Sequence, residues 1–500
     1  MPKACWTCRS RTVRCDESGI PCRKCEKAGL ECRDKKPLRW VQGVAVRGKM
    51  QGRMYEAKHT KSEDEKSMSS ESILVIPRHN AFPNALQEPR FQNLDTVSRY
   101  YVDYYSERIC KLYILHDSDS NPFRNLIPYA LEDKALLKSI TALAARHYAN
   151  KGHSFDQTNL AIDSQYAKAN LEALLFKAQA INSLSGELAS PEPRKKDAVM
   201  ATILLLIFVE LLESGLDGWS FHLKGARGLA RVYRTLNLPC KNGHARSHLD
   251  DMDQDTRSFL ARQYSLIDTL GAALSHPKPL CELSTSYDAA VGQESIVRSF
   301  LGCPEFLLKS INFFSNQRRV VGELSQHGYG AFQGHIDDTR TMLDLTENFD
   351  SLKWASGFHP SNVTSACEVH NLSMLSEAYK IGTLLYGRQV LAGMGTHPAT
   401  LGNNELVSQL LACISSLRGE EAFFKCLLWP TFLAGLHCVK HSQQLLVSDT
   451  LRMLWHSTNC LNVINASNIL KHYWERIEAL DAEHQWSSGL PELDRHWLLI

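Results

Sequence analysis

Long apolar runs are missing from this 500-residue chain. The longest, Val199–Val209 (VMATILLLIFV), is far shorter than the roughly 20 residues a bilayer-spanning helix needs. It reads as a helix buried on most sides, and the chain is expected to have no dealings with a membrane. Met1–Cys8 contains no apolar leader core, so the chain is expected to stay in a reducing compartment. Catalytic signatures are also missing. There is no H-E-x-x-H, G-x-S-x-G, P-loop or G-x-G-x-x-G, and the glycine-rich stretch 328–334 (GYGAFQG) lacks both the spacing and a preceding strand. Alternating strand patterns are scarce. The net charge is only +2, so the molecule as a whole is no polycation.

What is present is unevenly spread. Residues 1–60 carry 15 Lys and Arg against 6 Asp and Glu, whereas the remainder carries 41 against 48. A basic head on a mildly acidic body suggests an anionic partner for the head. Six of the 15 cysteines lie between Cys5 and Cys32; the other nine are scattered with no C-x-x-C among them, the usage of small buried hydrophobes.

The head reads CWTCRSRTVRC, then DESGIP, then CRKCEKAGLEC. Cys5-Cys8-Cys15 and Cys22-Cys25-Cys32 share the spacing C-x2-C-x6-C, offset by 17 residues. Three thiolates per half do not complete a tetrahedral zinc site, which takes four. Two zinc ions need eight ligand positions, and six sulfurs supply them if two thiolates bridge. The cluster then carries a charge of about −2, amid Arg9, Arg11, Arg14, Arg23, Lys24 and Lys27. So short a head cannot form a true apolar core, so the metal must supply the folding energy.

This spacing, with the run C-R-x-R-x-x-R-C from Cys8, resembles the fungal binuclear zinc cluster (Zn(2)-Cys(6)) transcription factors. The resemblance implies two zinc ions, with Cys5 and Cys22 as the bridging ligands, Cys8 and Cys15 completing one site and Cys25 and Cys32 the other. Pro21 fits the loop between the halves. Each half would place a short helix after its C-x-x-C, the first over Cys8–Arg14 and carrying Arg9, Arg11 and Arg14 to double-stranded DNA. One position departs from the family: the usual long cationic base reader is Thr12, which puts the usual CGG-type triplet in doubt and makes Arg11 the next candidate. Arg33, Lys35, Lys36 and Arg39 form a basic cluster suited to nuclear import, phosphate contacts, or both.

The expected fold is mainly α. Residues 1–36 form the two-zinc head with two short helices. Residues 37–90, punctuated by glycines and prolines and by the polar run 61–71, form a flexible linker without a heptad repeat. Residues 91–500 form an all-α body, with helical periodicity over Leu94–Leu115, Leu131–Tyr148, Leu160–Leu175, Ala198–Leu212, Phe221–Tyr233, Thr256–Leu274, Val363–Val390, Glu405–Leu417, Glu420–Leu446 and Thr450–Leu480. Asp117–Ala145, Ala201–Val232 (with W-x-x-H-x-x-G-A-R from Trp219) and Leu428–Gly435 resemble the fungal-specific transcription factor domain, which implies a regulatory body open to co-regulators or effectors. Read from the residues alone, Trp219, Trp429 and Trp474 are core aromatics, His222 is a hydrogen-bonded helix residue, and Gly225-Ala226 permits close helix packing. The functional expectation is a nuclear, sequence-specific regulator of RNA polymerase II transcription in a fungus, monomeric or dimerised by its body. A metabolic or secondary-metabolite pathway is one setting in keeping with it. The alternatives are a zinc-dependent RNA- or protein-binding adaptor, a metal store, a disulfide scaffold, or an enzyme hidden in the body.

Overall fold

The computed structural model describes residues 4–33, 94–156, 164–189, 196–236, 252–274, 301–324, 333–357, 366–395, 400–480 and 496–499. The linker expectation, and Lys35, Lys36 and Arg39 of the basic cluster, lie outside them. The chain divides into two compact units, Met1–Val75 and Ile76–Ile500. Among the described residues all secondary structure is helical, apart from one isolated antiparallel bridge, Leu216 to Trp497.

The first unit holds α1 (Trp6–Ser10) and α2 (Arg23–Lys27). Both open on a cysteine at the N-cap, Cys5 and Cys22. Both close the same way: the Val13 N–H donates to the Cys8 carbonyl and the Leu30 N–H to the Cys25 carbonyl, each at 3.0 Å. Such a closure needs a left-handed residue one position earlier, and Thr12 (φ 57°) and Gly29 (φ 63°) provide it. The offset of 17 residues in the cysteines is thus repeated in the backbone. The first helix starts earlier than Cys8 and ends before Arg14. The left-handed turn at Thr12 reverses the chain so that Cys15 returns to the cluster, leaving Arg11 as the C-cap and Arg14 beyond the helix.

The second unit opens with α3 (Thr96–Tyr104), capped by Asp95, whose Oδ1 accepts from the backbone of Val97 and Ser98. A π-helical turn over Tyr105–Ile109 leads into α4 (Cys110–Leu112). The Asn-Pro-Phe-Arg motif follows as a brace. Asn121 Nδ2 donates to the Cys110 carbonyl (2.9 Å) and to Asp117, Phe123 packs edge-on against Phe208 and Phe259, and Arg124 Nη1 donates to the Ser118 carbonyl (2.6 Å). Then come α5 (Leu126–Ala130), α6 (Lys134–Asn150), α7 (Ser164–Ala189), α8 (Lys196–Glu213), α9 (Gly218–Leu236) and α10 (Gln254–Leu274). Helix α6 lies against both α7 and α8. Every side chain from Ala201 to Val209 is buried, as the apolar run requires.

A second group of helices follows: α11 (Glu305–Leu324), α12 (Gln333–Glu347), α13 (Ser351–Ser356), α14 (Ala366–Gly393), α15 (Thr400–Ser416), α16 (Glu421–Phe424), α17 (Leu428–His437), α18 (His441–Thr458) and α19 (Leu461–Leu480). Helix α14 packs against α11, α12, α13, α15 and α17. The stretch Glu420–Leu446 is not one helix. Pro430 lacks an N–H and suits a first turn, so α17 starts afresh at Leu428. Nor is Thr450–Leu480 continuous, because left-handed Asn459 (φ 48°) ends α18.

Residues 496–499 return to the turn between α8 and α9. The Asp217 N–H donates to the His496 carbonyl (2.9 Å), the Leu498 N–H to the Gly215 carbonyl (3.0 Å), and Trp219 Nε1–H to the His496 carbonyl (3.0 Å). Leu498 and Leu499 are fully buried. Trp219 and Trp429 are core aromatics; Trp474 is only partly buried, with its indole N–H donating to the Gly435 carbonyl at 2.8 Å. Gly225 faces open space, so close packing does not occur there. It occurs at Gly271, where a Cβ would run into the Trp219 ring.

Candidate metal centre and nucleic-acid interface

The first unit has no apolar core of the ordinary kind. Val13, Ile20 and Leu30 are exposed, and its buried cluster consists of Cys5, Cys8, Cys22 and Cys25, with Cys15 and Cys32 packed against them. The sulfurs fall into two groups of four, Cys5-Cys8-Cys15-Cys22 and Cys5-Cys22-Cys25-Cys32, so Cys5 and Cys22 belong to both. Cys5 and Cys22 are 3.8 Å apart, Cys8 and Cys22 3.7 Å, and Cys15 and Cys5 3.8 Å. Tetrahedral zinc with bonds of about 2.3 Å sets its sulfurs about 3.8 Å apart, so these donors fit zinc in kind and spacing. They do not fit disulfides, whose sulfurs lie about 2.05 Å apart.

The local fold prepares the shared pair for negative charge. As N-caps, Cys5 and Cys22 face free helix N–H groups. Cys5 Sγ accepts from the Cys8 N–H at 3.3 Å, and this bond holds its thiol below the usual range. Burial opposes ionisation of Cys22, but donors led by the Cys25 N–H outweigh it and the thiol is again lowered. Burial pushes Cys8 up to about 12 and raises Cys25 too. Without metal, then, the two inner thiols resist ionisation beside two that favour it.

Around this knot, Arg9, Arg11, Thr12, Arg14, Arg23, Lys24 and Lys27 are all exposed. Lys24 Nζ donates to the Arg14 carbonyl at 2.7 Å, tying the second half to the first. Arg33 is the described member of the basic cluster, and it pairs with Glu31 at 2.5 Å. Aligning the halves by their offset of 17 shows an asymmetry that the cysteines alone conceal. Arg9, Arg11 and Arg14 correspond to Glu26, Ala28 and Glu31. Each half carries three exposed cations, but the first has no acidic residue, whereas Glu26 and Glu31 offset the second. The signal was in the sequence, but only a position-by-position comparison of the repeats reveals it.

Thr12 corresponds to Gly29 in the same comparison. A β-branched residue in the left-handed region costs roughly 1–2 kcal/mol, and the Thr12 hydroxyl donates to the Arg11 carbonyl at 2.6 Å. Thr12→Gly should relieve that strain. Because metal binding and folding of the head are one process, a gain of about 1 kcal/mol should appear as roughly five-fold tighter zinc binding. Competition against a chromogenic chelator measures it, and unchanged affinity would mean the threonine sits there without strain.

In the body, His222 Nε2 lies 3.4 Å from Glu210 Oε1, and Lys177 bonds both Glu210 (2.7 Å) and Glu213 (2.5 Å). The histidine is an ion-pair neighbour within a packed network. Arg227 pairs with Asp268. His147 is buried and neutral, its pKa lowered to about 3 by burial and by nearby Lys151; its ring nitrogens meet the Tyr104 hydroxyl and the Thr458 carbonyl. A cavity of about 20 Å³ among Tyr113, Lys425, Cys426 and Cys460 has room for a water rather than an organic effector. Among the described residues no helix is long and apolar enough to cross a membrane.

Residues 99–500 match the fungal specific transcription factor domain, and residues 3–40 match the fungal Zn(2)-Cys(6) binuclear cluster domain. The chain belongs to this family of fungal transcription factors, and its head is a zinc-binding cluster domain. Among individual proteins it is similar to the acriflavine sensitivity control protein acr-2 of Neurospora crassa, at 23% identity over 448 residues, which covers 87% of this chain and 71% of that protein. No solved structure matches.

Proposed function

We propose that this chain is a sequence-specific, double-stranded-DNA-binding regulator of RNA polymerase II transcription in the fungal nucleus. Two zinc ions share Cys5 and Cys22. Cys8 and Cys15 complete one site, Cys25 and Cys32 the other. The observation that carries the reading is the set Arg9, Arg11 and Arg14, held exposed on a half-domain that has no acidic residue. A cationic rim on a metal-fixed scaffold suits phosphate contact. Arg23, Lys24 and Lys27 supply further phosphate contacts, with Lys24 also bracing Arg14. Arg11 is the leading base reader, because the Thr12 hydroxyl hydrogen is engaged by the backbone. Arg33, Lys35, Lys36 and Arg39 serve nuclear entry. The body is the regulatory part and the place where co-regulators bind. The relative's name concerns acriflavine sensitivity, so sensitivity to acriflavine is the first phenotype to score in a deletion strain.

The test is selection of bound sites from random duplexes with the zinc-loaded full-length chain, followed by salt titration on the best site. With about four to six phosphates neutralised, log affinity should fall against log salt with a slope of about −4 to −5. Arg9→Ala and Arg14→Ala should flatten that slope on all duplexes alike. Arg11→Ala should relax selectivity at one base step by roughly 1–3 kcal/mol, and Thr12→Lys should sharpen it. Equal or tighter binding to single-stranded RNA, with no motif selected, would defeat the reading in favour of an RNA-binding adaptor.

A further inference from the structure

Thr12 is a costly residue for its place. It holds φ 57° at the turn that ends α1, where the second half has Gly29 (φ 63°). Its exposed hydroxyl donates to the carbonyl of its own neighbour, Arg11, so it ties no other part of the head together. The other two hydroxyls between Cys5 and Cys15 have structural work. Ser10 Oγ donates to the Thr7 carbonyl at 3.1 Å within α1. Thr7 Oγ1 donates to the Glu31 carbonyl (2.8 Å) and accepts from the Arg33 N–H (3.0 Å). Strain kept at an exposed side chain with no structural duty points to a use for that side chain.

The surroundings say which use. Arg9 stands three residues before Thr12, Arg11 one before it and Arg14 two after it, and all three are exposed. Val13, which follows directly, is 39% exposed. A hydroxyl flanked by arginines and followed by an apolar residue is the pattern that a kinase with a carboxylate-lined substrate groove selects. We infer that Thr12 is a phosphorylation site for such a basophilic Ser/Thr kinase, shielded while the head holds zinc. Thr12 Oγ1 attacks the γ-phosphorus of ATP. The new O–P bond forms as the bond to ADP breaks, and the hydroxyl proton passes to the kinase's carboxylate base. The shielding follows from the turn. The Thr12 N–H donates to the Arg9 carbonyl at 3.2 Å, so the two residues are about 5 Å apart on one turn. In the extended segment that a kinase groove takes, they are about 10 Å apart. Opening the turn requires slack between Cys8 and Cys15, and zinc removes it. Once made, phosphothreonine brings a charge of about −1.5 to −2 among three arginines and cancels much of their pull on a duplex. That consequence rests on the DNA-binding reading; the modification itself does not.

The full-length chain, zinc-loaded or stripped by a chelator, is incubated with ATP, magnesium and the catalytic fragment of protein kinase C, and the phosphate is mapped by mass spectrometry. Thr12 should be modified in the stripped chain and at least ten-fold more slowly in the loaded one. Arg9→Ala should slow the reaction at least ten-fold, and Ser10→Ala should not. After zinc is restored, the modified chain should still hold two ions by native mass spectrometry. It should bind the selected duplex at least 30-fold more weakly, with the salt slope flattened by about 2. No phosphate on Thr12, phosphate on Ser10 instead, or equal rates with and without zinc would each overturn the proposal. If the unmodified loaded chain selects no duplex, the DNA-binding reading fails while a phosphate on Thr12 still stands.

Discussion

Cys22→Ser should empty both metal positions, whereas Cys8→Ser should leave one ion tightly held. Native mass spectrometry of the full-length chain distinguishes these results directly. Cys22 lies in both sulfur tetrads and Cys8 in one. Serine offers a hard, poorly ionised oxygen where a bridging thiolate must neutralise two cations. Structural zinc in small domains contributes on the order of 10–16 kcal/mol, so losing both ions should unfold the head. Duplex binding should vanish and the helical signal of the body should persist. Cys5→Ser should behave like Cys22→Ser. A variant of Cys22 that retains one ion at wild-type affinity would show that this sulfur does not bridge.

The cluster was legible in the sequence because its constraint is covalent spacing joined to the valence of the metal, and neither depends on distant residues. The buried helix α8 was legible for a similar reason, since nine consecutive buried side chains (Ala201–Val209) need no periodicity to be recognised. Helix α12 was not legible. Its buried positions are Ile336, Thr339 and Thr346, and the Thr339 and Thr346 hydroxyls are satisfied by carbonyls four residues back (His335 and Met342), so the apolar stripe that marks a helix is nearly missing. The breaks at Leu428 and Asn459 depend on packing against other helices as well as on local sequence. Asn150, for instance, donates to both the Leu212 and Asn459 carbonyls. The strain at Thr12 could not be seen without a φ angle, although its alignment with Gly29 hinted at it.

Trp219→Ala should be among the most damaging single changes in the body, costing about 3–5 kcal/mol. The indole is fully buried and its N–H bond to the His496 carbonyl would be lost. Gly271→Ala should cost about 1–3 kcal/mol in the wild-type background, because the added methyl collides with the indole. In the Trp219→Ala background the same methyl enters vacated space and should be neutral or slightly stabilising. Chemical denaturation of the four proteins closes the cycle, and a coupling energy of at least 1 kcal/mol is expected between residues in such contact. Additive effects would mean that Gly271 is required for some reason other than the ring above it.

The return of residues 496–499 to the turn between α8 and α9 has a consequence for the order of assembly. The hydrogen bonds there join residues 277 and 279 positions apart. Closing so long a loop is slow, though the entropic cost grows only as the logarithm of its length. During synthesis the Asp217 N–H and the Trp219 indole emerge long before their carbonyl partner exists. At about 5–20 residues per second, that interval is tens of seconds. Throughout it, the turn at Gly215 stands open beside α8, whose run Ala201–Val209 is wholly buried in the folded body. The nascent body is therefore exposed to misassembly at this seam until residues 496–499 arrive.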